Sequence, residues 1–187
     1  MIILIGGTGS VGKTKLAYEL MTKLQIPYFS LDILMMGIYR SNPECGYTPM
    51  DENTKIAGKI WPIAREMIKT NIENDTSGIY EGFQLFPGVA NDFSLEYKNK
   101  IISYFMAFSN GYIYKHYNEI IMNRSVIEKR DDYDSVEKME ERNEKVIKEC
   151  EANNQKVFII NEDYVSEINV LIKTIIEEFK ELQLTRV

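Results

Sequence analysis

The sequence predicts an α/β fold in which a parallel β-sheet is covered by helices on both faces. Short apolar runs alternate along the chain with longer segments whose apolar residues recur at helical spacing. Residues 101–108, IISYFMAF, form an apolar run without polar alternation, as buried parallel strands do. The first apolar run, residues 2–5, leads into a glycine-rich segment and then a helical pattern. Together these three observations predict strands and helices that alternate along one chain.

The N-terminal half contains three predicted strands and three predicted helices. The strands are predicted from short apolar or aromatic runs, and the helices from apolar residues three or four positions apart. Pro62 lies inside the third helical pattern and predicts a kink or break, because proline lacks the helical N–H donor. The predicted elements are a strand at 2–5, a helix at 13–24, a strand at 28–31 that finishes at Asp32, a helix at 33–40, a helix from 52 and a strand at 78–83.

The C-terminal half continues the alternation and completes a chain of 187 residues, a length that favours one domain. The run at residues 101–108 is the strongest candidate for a buried strand. A tyrosine-rich segment and an amphipathic stripe after it predict two helices. The predicted elements are a strand at 101–108, a helix at 111–127, a charged turn at 129–134, a helix at 135–153, a strand at 156–160 and a helix at about 165–182.

The glycine-rich segment, GTGSVGKT, matches G-x-x-x-x-G-K-T, the phosphate-binding loop or Walker A pattern. Its glycines allow a turn so tight that backbone N–H groups converge on phosphate oxygens, and the helix that follows presents its positive end to the same anion. Lys13 is predicted to reach the β- and γ-phosphates, and the Thr14 hydroxyl to bind Mg²⁺. The predicted nucleotide-binding residues are Gly7, Thr8, Gly9, Ser10, Val11, Gly12, Lys13 and Thr14.

The same glycines also fit a dinucleotide-binding pattern. Gly7, Gly9 and Gly12 spell G-x-G-x-x-G, and Asp32 follows at the distance of a ribose-binding acid. Lys13 and Thr14, however, have no role in that pattern and complete Walker A. The chain also contains no Tyr-x-x-x-Lys pair, which short-chain dehydrogenases use for proton transfer. The sequence therefore favours binding of a nucleoside triphosphate.

Two acids are predicted near the carboxyl ends of strands, where open α/β sheets bind their ligands. Asp32 is predicted to end the second strand, and Glu81 lies near the end of the third. A phosphate-transferring enzyme needs one carboxylate at the acceptor hydroxyl and another beside the metal. The alternative for Asp32 is a structural cap of the helix that follows.

These features resemble the compact P-loop small-molecule kinases, a group that includes adenylate, shikimate and gluconate kinases, chloramphenicol phosphotransferase and the zeta toxins. The resemblance spans the chain, although only Walker A is highly specific. The stretch from Glu81 to Gly88, Glu-Gly-x-x-x-x-Pro-Gly, most closely resembles the 2-phosphoglycerate kinase-like branch. The segments that carry it are the N-terminal Walker A, SLD after the second strand, YEGFQLFPG after the third, an arginine-bearing segment and NEDY near the end.

The resemblance implies a P-loop NTPase fold with five parallel strands in the order 2-3-1-4-5. Glu81 would then lie beside the phosphate loop and serve the metal, while Asp32 would lie under the acceptor. The whole chain, 1–187, would form one kinase domain, with an acceptor-binding segment at about 33–72 and a mobile lid at about 110–135. The lid would bring catalytic arginines, Arg124 and Arg130, to the phosphates, and the loop at 161–164 would lie against the adenine.

The function implied by the resemblance is an ATP- and Mg²⁺-dependent transfer of a phosphoryl group to a hydroxyl of a small molecule. Nucleoside monophosphate kinases carry arginines where this sequence has Leu34, Met35 and Phe86, which disfavours a nucleotide acceptor. A regulatory NTPase is the main alternative, although the chain lacks the Asn-Lys-x-Asp motif of GTPase switches. An NAD(P)-binding oxidoreductase is the other.

Composition predicts a cytoplasmic protein that binds neither nucleic acid nor membranes. The formal net charge is −6, whereas binders of nucleic acid or membrane surfaces carry a basic face. No apolar run approaches 18 residues. The two cysteines, Cys45 and Cys150, are predicted to be reduced thiols, and with the single histidine, His116, they show no metal-site spacing.

Overall fold

The computed structural model describes residues 1–123 and 134–184. Five parallel strands form one sheet in the order β2-β3-β1-β4-β5, which confirms the predicted fold class and strand order. The first strand therefore lies in the middle of the sheet, between the third and the fourth. The strands are β1 (Ile2–Gly7), β2 (Tyr28–Ser30), β3 (Gly78–Glu81), β4 (Ile101–Phe108) and β5 (Lys156–Ile160).

Helices connect the strands and cover the sheet. A short 3-10 helix, Val89–Asp92, lies between the third and fourth strands, a region where the sequence predicted no helix. Among the described residues, no helix has both the length and the apolar composition needed to cross a membrane. The helices are α1 (Lys13–Leu24), α2 (Leu31–Ser41), α3 (Asn53–Glu73), α4 (Leu95–Lys98), α5 (Asn110–Met122), α6 (Val136–Ala152) and α7 (Tyr164–Leu184).

The sequence predicted two element boundaries wrongly near the site. Strand β2 ends at Ser30 rather than at Asp32, which lies in the first turn of α2. An acidic side chain in a first helical turn is stabilised by the positive end of the helix dipole, so the helix extends back over this position. Strand β3 ends at Glu81 because the next residue, Gly82, has a φ of +154° and leaves the strand conformation. Both acids therefore lie at the carboxyl edge of the sheet.

Helix α3 passes through Pro62 as one helix of 21 residues, so the predicted break is absent from the described chain. Its buried stripe, which includes Ile56, Ile60 and Ile68, packs on the sheet on both sides of the proline. Burial of this apolar stripe compensates for the hydrogen bond that proline cannot donate.

Residues of β1 alternate between two hydrophobic cores, one on each face of the sheet. Ile3 and Ile5 belong to the core that α1, α5 and α7 cover, and Ile2 and Leu4 belong to the core that α2, α3 and α6 cover. All four side chains are completely buried. Alternate side chains of a strand point to opposite faces, so burial of both sets requires helices on both sides, as the sequence predicted.

A buried polar side chain on α6 joins that helix to β4 and to the glycine-rich loop. Asn143 is 1% exposed, and its Oδ1 accepts hydrogen bonds from the Phe108 backbone N (2.7 Å) and the Thr8 hydroxyl (3.0 Å). Its Nδ2 donates to the Met139 carbonyl at 2.8 Å. Asn143 thereby fixes the first residues of the loop against the end of a neighbouring strand.

We predict that Asn143→Ala lowers the free energy of unfolding by about 2–4 kcal/mol, because two buried donors, on Thr8 and Phe108, lose their acceptor. Urea denaturation followed by circular dichroism measures this change. The matched control is Asn118→Ala, which removes an exposed asparagine from α5. Equal stability of the two variants would contradict the role given to Asn143.

Candidate phosphate-binding site

The glycine-rich loop connects the central strand to the N-terminus of α1. The backbone enters the left-handed region at Ser10 (φ 59°) and again at Gly12 (φ 91°), immediately before the helix begins at Lys13. The first turn of α1 contains no acidic residue, and Gly12 provides no side-chain cap. The first N–H groups of the helix are therefore available to an anion.

Gly12 is the point of closest approach between the loop and α7. A Cβ atom at this position would lie 1.8 Å from the Tyr164 hydroxyl oxygen, so no larger residue fits. Tyr164 is the first residue of α7, and the Lys15 Nζ lies 5.2 Å from the centre of its ring. The structure thus brings the end of the 161–164 segment against the phosphate loop.

Lys13 lies inside the loop, close to both predicted acids. Its Nζ donates a hydrogen bond to the Thr8 carbonyl at 2.7 Å. Burial lowers the pKa of the Lys13 ammonium, while the negative charges of Glu81 and Asp32 act in the opposite direction. A cation held by one carbonyl oxygen near two carboxylates can take part in binding a more highly charged anion.

Glu81 is a nearly completely buried carboxylate beside the loop. It is 1% exposed, pairs with Ile5 of β1 in the sheet register, and accepts a hydrogen bond from the Thr14 hydroxyl on Oε2 at 3.3 Å. Its Oε1 accepts no hydrogen bond from the described residues. Burial raises the pKa of Glu81, and the nearby Ser30 hydroxyl and Lys13 charge partly offset that increase.

Asp32 also lies near Lys13, at the start of α2. Its Oδ1 accepts a hydrogen bond from Gln84 Nε2 at 2.8 Å. Gln84 is completely buried, and its own Oε1 has no partner among the described residues. Gln84 is not among the site residues that the sequence predicted, although its position pointed to the site. It is the polar residue of YEGFQLFPG that follows Glu81, at the carboxyl end of β3.

The structure brings together the loop and both predicted acids and leaves two predicted residues undescribed. Lys13, Thr14, Asp32 and Glu81 lie together at the carboxyl edge of β1, β2 and β3. Arg124 and Arg130 lie outside the described residues. The described part of the predicted lid consists mainly of α5, and its buried residues are Tyr112, Ile113 and Ile120.

The residues around Thr14 fit a magnesium ion. Mg²⁺ prefers oxygen ligands and is usually held by one or two carboxylates together with substrate phosphates. The Thr14 hydroxyl and the unpaired Oε1 of the buried Glu81 provide such ligands. The described part of the chain contains no cluster of three or more His, Cys, Asp or Glu side chains that could hold a metal ion.

No protein-family model matches this sequence, and neither does any curated protein. Solved structures do match, over almost the whole chain. A gluconokinase from Sinorhizobium meliloti is 10% identical, with a TM-score of 0.60 and coverage of 98% of this chain and 95% of that one. A shikimate kinase from Aquifex aeolicus is 14% identical, with a TM-score of 0.53 and coverage of 95% and 98%.

A sugar kinase from Janibacter sp. is also similar in structure, at 10% identity and a TM-score of 0.54, with 92% of each chain covered. At these identities the similarity establishes the fold and nothing finer. The chain has the fold of the P-loop kinases, and its glycine-rich loop lies at the carboxyl end of the central strand.

Proposed function

We propose that this protein is an ATP- and Mg²⁺-dependent phosphotransferase that moves a γ-phosphoryl group to a hydroxyl of a small molecule. The observation that carries the proposal is that Lys13 of the loop lies near two carboxylates, Glu81 and Asp32, at the carboxyl edge of the sheet. A binding loop alone would serve a regulatory NTPase equally well. A second acid near Lys13, Asp32, accepts its hydrogen bond from Gln84 and not from Thr14, which favours transfer to an acceptor.

In this proposal the loop binds the triphosphate. The free N–H groups at the start of α1 contact phosphate oxygens, and the Lys13 ammonium exchanges the Thr8 carbonyl for the β- and γ-phosphates. Thr14 and Glu81 would hold Mg²⁺, which neutralises charge on the transferring group when it is bound. Arg124 and Arg130 are proposed to contact the phosphates from the lid.

Asp32 is proposed to act on the acceptor. Its carboxylate orients the acceptor hydroxyl and takes its proton as the hydroxyl oxygen bonds to the γ-phosphorus. The bond from that phosphorus to the bridging oxygen breaks, and ADP leaves. The acceptor would lie against the segment at 33–72, which contains most of α2 and most of α3.

The structural neighbours support this proposal. Those compared above are named as a gluconokinase, a shikimate kinase and a sugar kinase, and each has a small-molecule substrate or class in its name. The test is to screen ATP consumption over sugar acids, polyols, nucleosides and antibiotics. An acceptor that increases ADP release identifies the substrate class.

We predict that Lys13→Ala abolishes stabilisation by Mg·ATP, because the ammonium would contact the phosphates. The melting temperature of the free protein should stay almost unchanged, because the cost of burying the ammonium opposes its attraction to Glu81 and Asp32. Thermal shifts with ATP, GTP, NAD and NADP measure both effects and separate the alternative functions. A ligand at a hundred times its Kd adds about 2.7 kcal/mol to the stability.

The matched control is Lys23→Ala, which removes an exposed lysine from the same helix. It should behave like the wild-type protein. A Lys13→Ala protein that unfolds, while the molecules that remain folded bind ATP normally, would show that Lys13 is structural.

Removing the charge of Asp32 and removing the charge of Glu81 should lower the phosphotransferase activity in different ways. We predict that Asp32→Asn retains Mg·ATP binding and loses roughly 10²- to 10⁴-fold in turnover, the value of a positioned general base. Glu81→Gln should require a higher Mg²⁺ concentration, and added metal should restore part of its rate. A Mg²⁺ titration of both variants decides between the roles. If added Mg²⁺ restored the activity of Asp32→Asn instead, the roles proposed for Asp32 and Glu81 would be reversed.

Burial of Glu81 also predicts how stability depends on pH. Because its pKa is raised above the ordinary 4.5 in the folded state, the folded protein binds the proton more tightly than the unfolded chain. Stability from this group is therefore present at low pH and is lost as pH rises from about 4.5 through the raised pKa.

We predict that Glu81→Gln gains stability relative to the wild type as pH rises from 4 to 8 in metal-free buffer. Thermal denaturation across this range measures the difference. Glu141→Gln, which neutralises an exposed glutamate on α6, should show no such trend. A constant difference between Glu81→Gln and the wild type would argue against a raised pKa.

A further inference from the structure

We propose that Gln84 is a positioning residue that orients the Asp32 carboxylate toward the acceptor. The inference rests on the proposed function of Asp32 as the base. It assigns a role to a residue that lies 52 positions away in sequence and whose side chain meets Asp32 only in the folded protein.

The contact between the two side chains leaves half of the carboxylate free. Gln84 Nε2 donates to Asp32 Oδ1 at 2.8 Å, and this is the only hydrogen bond that the carboxylate makes with the described residues. The other oxygen, Oδ2, has no partner among them. A carboxylate held by one oxygen has a defined orientation while its second oxygen can accept the proton of a substrate hydroxyl.

The backbone around Gln84 is anchored to the central strand. The N–H of Gly82 donates to the Ile5 carbonyl, and the N–H of Leu85 donates back to the Gly82 carbonyl, both at 3.3 Å. A Cβ atom on Gly82 would lie 2.2 Å from Gln84 Oε1. The glycine therefore provides the space into which the amide folds, so both ends of the Gln84 side chain are fixed.

Among the described residues, the nitrogen of the buried Gln84 amide has a hydrogen-bond partner and its oxygen has none. This indicates that the amide does not serve to stabilise the fold. Gln84 is completely buried, yet its Oε1 accepts no hydrogen bond from the described residues. A buried unpaired acceptor destabilises a fold relative to an apolar group of the same shape. The amide nitrogen also donates a weak hydrogen bond to the Met35 sulfur at 3.8 Å, and an apolar side chain could replace this contact with little loss. Retention of a costly polar group beside a proposed base is expected of a functional residue.

The first test is Gln84→Met, which keeps the length of the side chain and removes its donor. The assay is basal hydrolysis of Mg·ATP, in which water occupies the acceptor position. We expect a rate lower by roughly 10- to 100-fold, as for a lost hydrogen bond to a charged group. The KM for ATP should be unchanged and the melting temperature equal or higher. Gln183→Met, at an exposed position of α7, is the matched control and should hydrolyse ATP at the wild-type rate.

A double-mutant cycle with Asp32→Asn separates positioning from a structural role. If Gln84 acts through Asp32, Gln84→Met should have almost no effect on the rate in the Asp32→Asn background. A wild-type rate in Gln84→Met would overturn the proposal. A lower melting temperature combined with additive rate effects would overturn it as well, because it would indicate a purely structural residue.

A measurement without turnover tests the contact itself. Asp32→Asn should shift the side-chain amide signals of Gln84 in a ¹H–¹⁵N spectrum, whereas Asp75→Asn, at an exposed position before the opposite end of β3, should not. Unchanged signals in Asp32→Asn would overturn the inference. Failure of the wild-type protein to bind Mg·ATP would instead refute the proposed function, so the two failures are distinguishable.

Discussion

The position of β1 in the middle of a parallel sheet is the constraint on which the site depends. Parallel neighbours on both sides make the carboxyl ends of three strands meet at one edge. The register pairs Ile5 with Glu81 on one side, and on the other the loop residue Thr8 donates its N–H to the Met106 carbonyl. Glu81 and the first residue of the loop after β1 are therefore placed by hydrogen bonds to the backbone of neighbouring strands.

The site at this edge of the sheet combines one positive and two negative side chains. One ammonium, on Lys13, faces two carboxylates, Asp32 and Glu81, and burial opposes the charged forms of both Lys13 and Glu81. Such an arrangement costs free energy in the empty protein, because partners inside the fold replace hydration only in part. A bound triphosphate with its cation would offer Lys13 and Glu81 the partners that the fold leaves out.

The buried polar side chains of this protein differ in whether all of their hydrogen-bonding atoms have partners. Asn143 uses both its amide oxygen and its amide nitrogen, and it joins three parts of the chain. Gln84 and Glu81 each keep one buried oxygen without a partner among the described residues. Native folds pair almost all of their buried polar atoms. Ser103 on β4 and His116 on α5 also carry an unpaired atom, so it is the position of the Glu81 and Gln84 oxygens near Lys13 and Asp32 that marks this edge as shaped for more than stability.

The sequence by itself determined the α/β class, the loop with Lys13 and Thr14, and the extent of β4 and β5, because these depend on local residue patterns. Resemblance to known kinases supplied the strand order. The tertiary structure decided that Asp32 belongs to α2. The dipole and the packing of this helix favour a helical Asp32, whereas the apolar run before it had suggested that the strand extends this far. It also decided that α3 continues through Pro62 and that Gln84 reaches Asp32. Contacts between residues distant in sequence depend on how the chain folds around β1, and no local pattern contains that information.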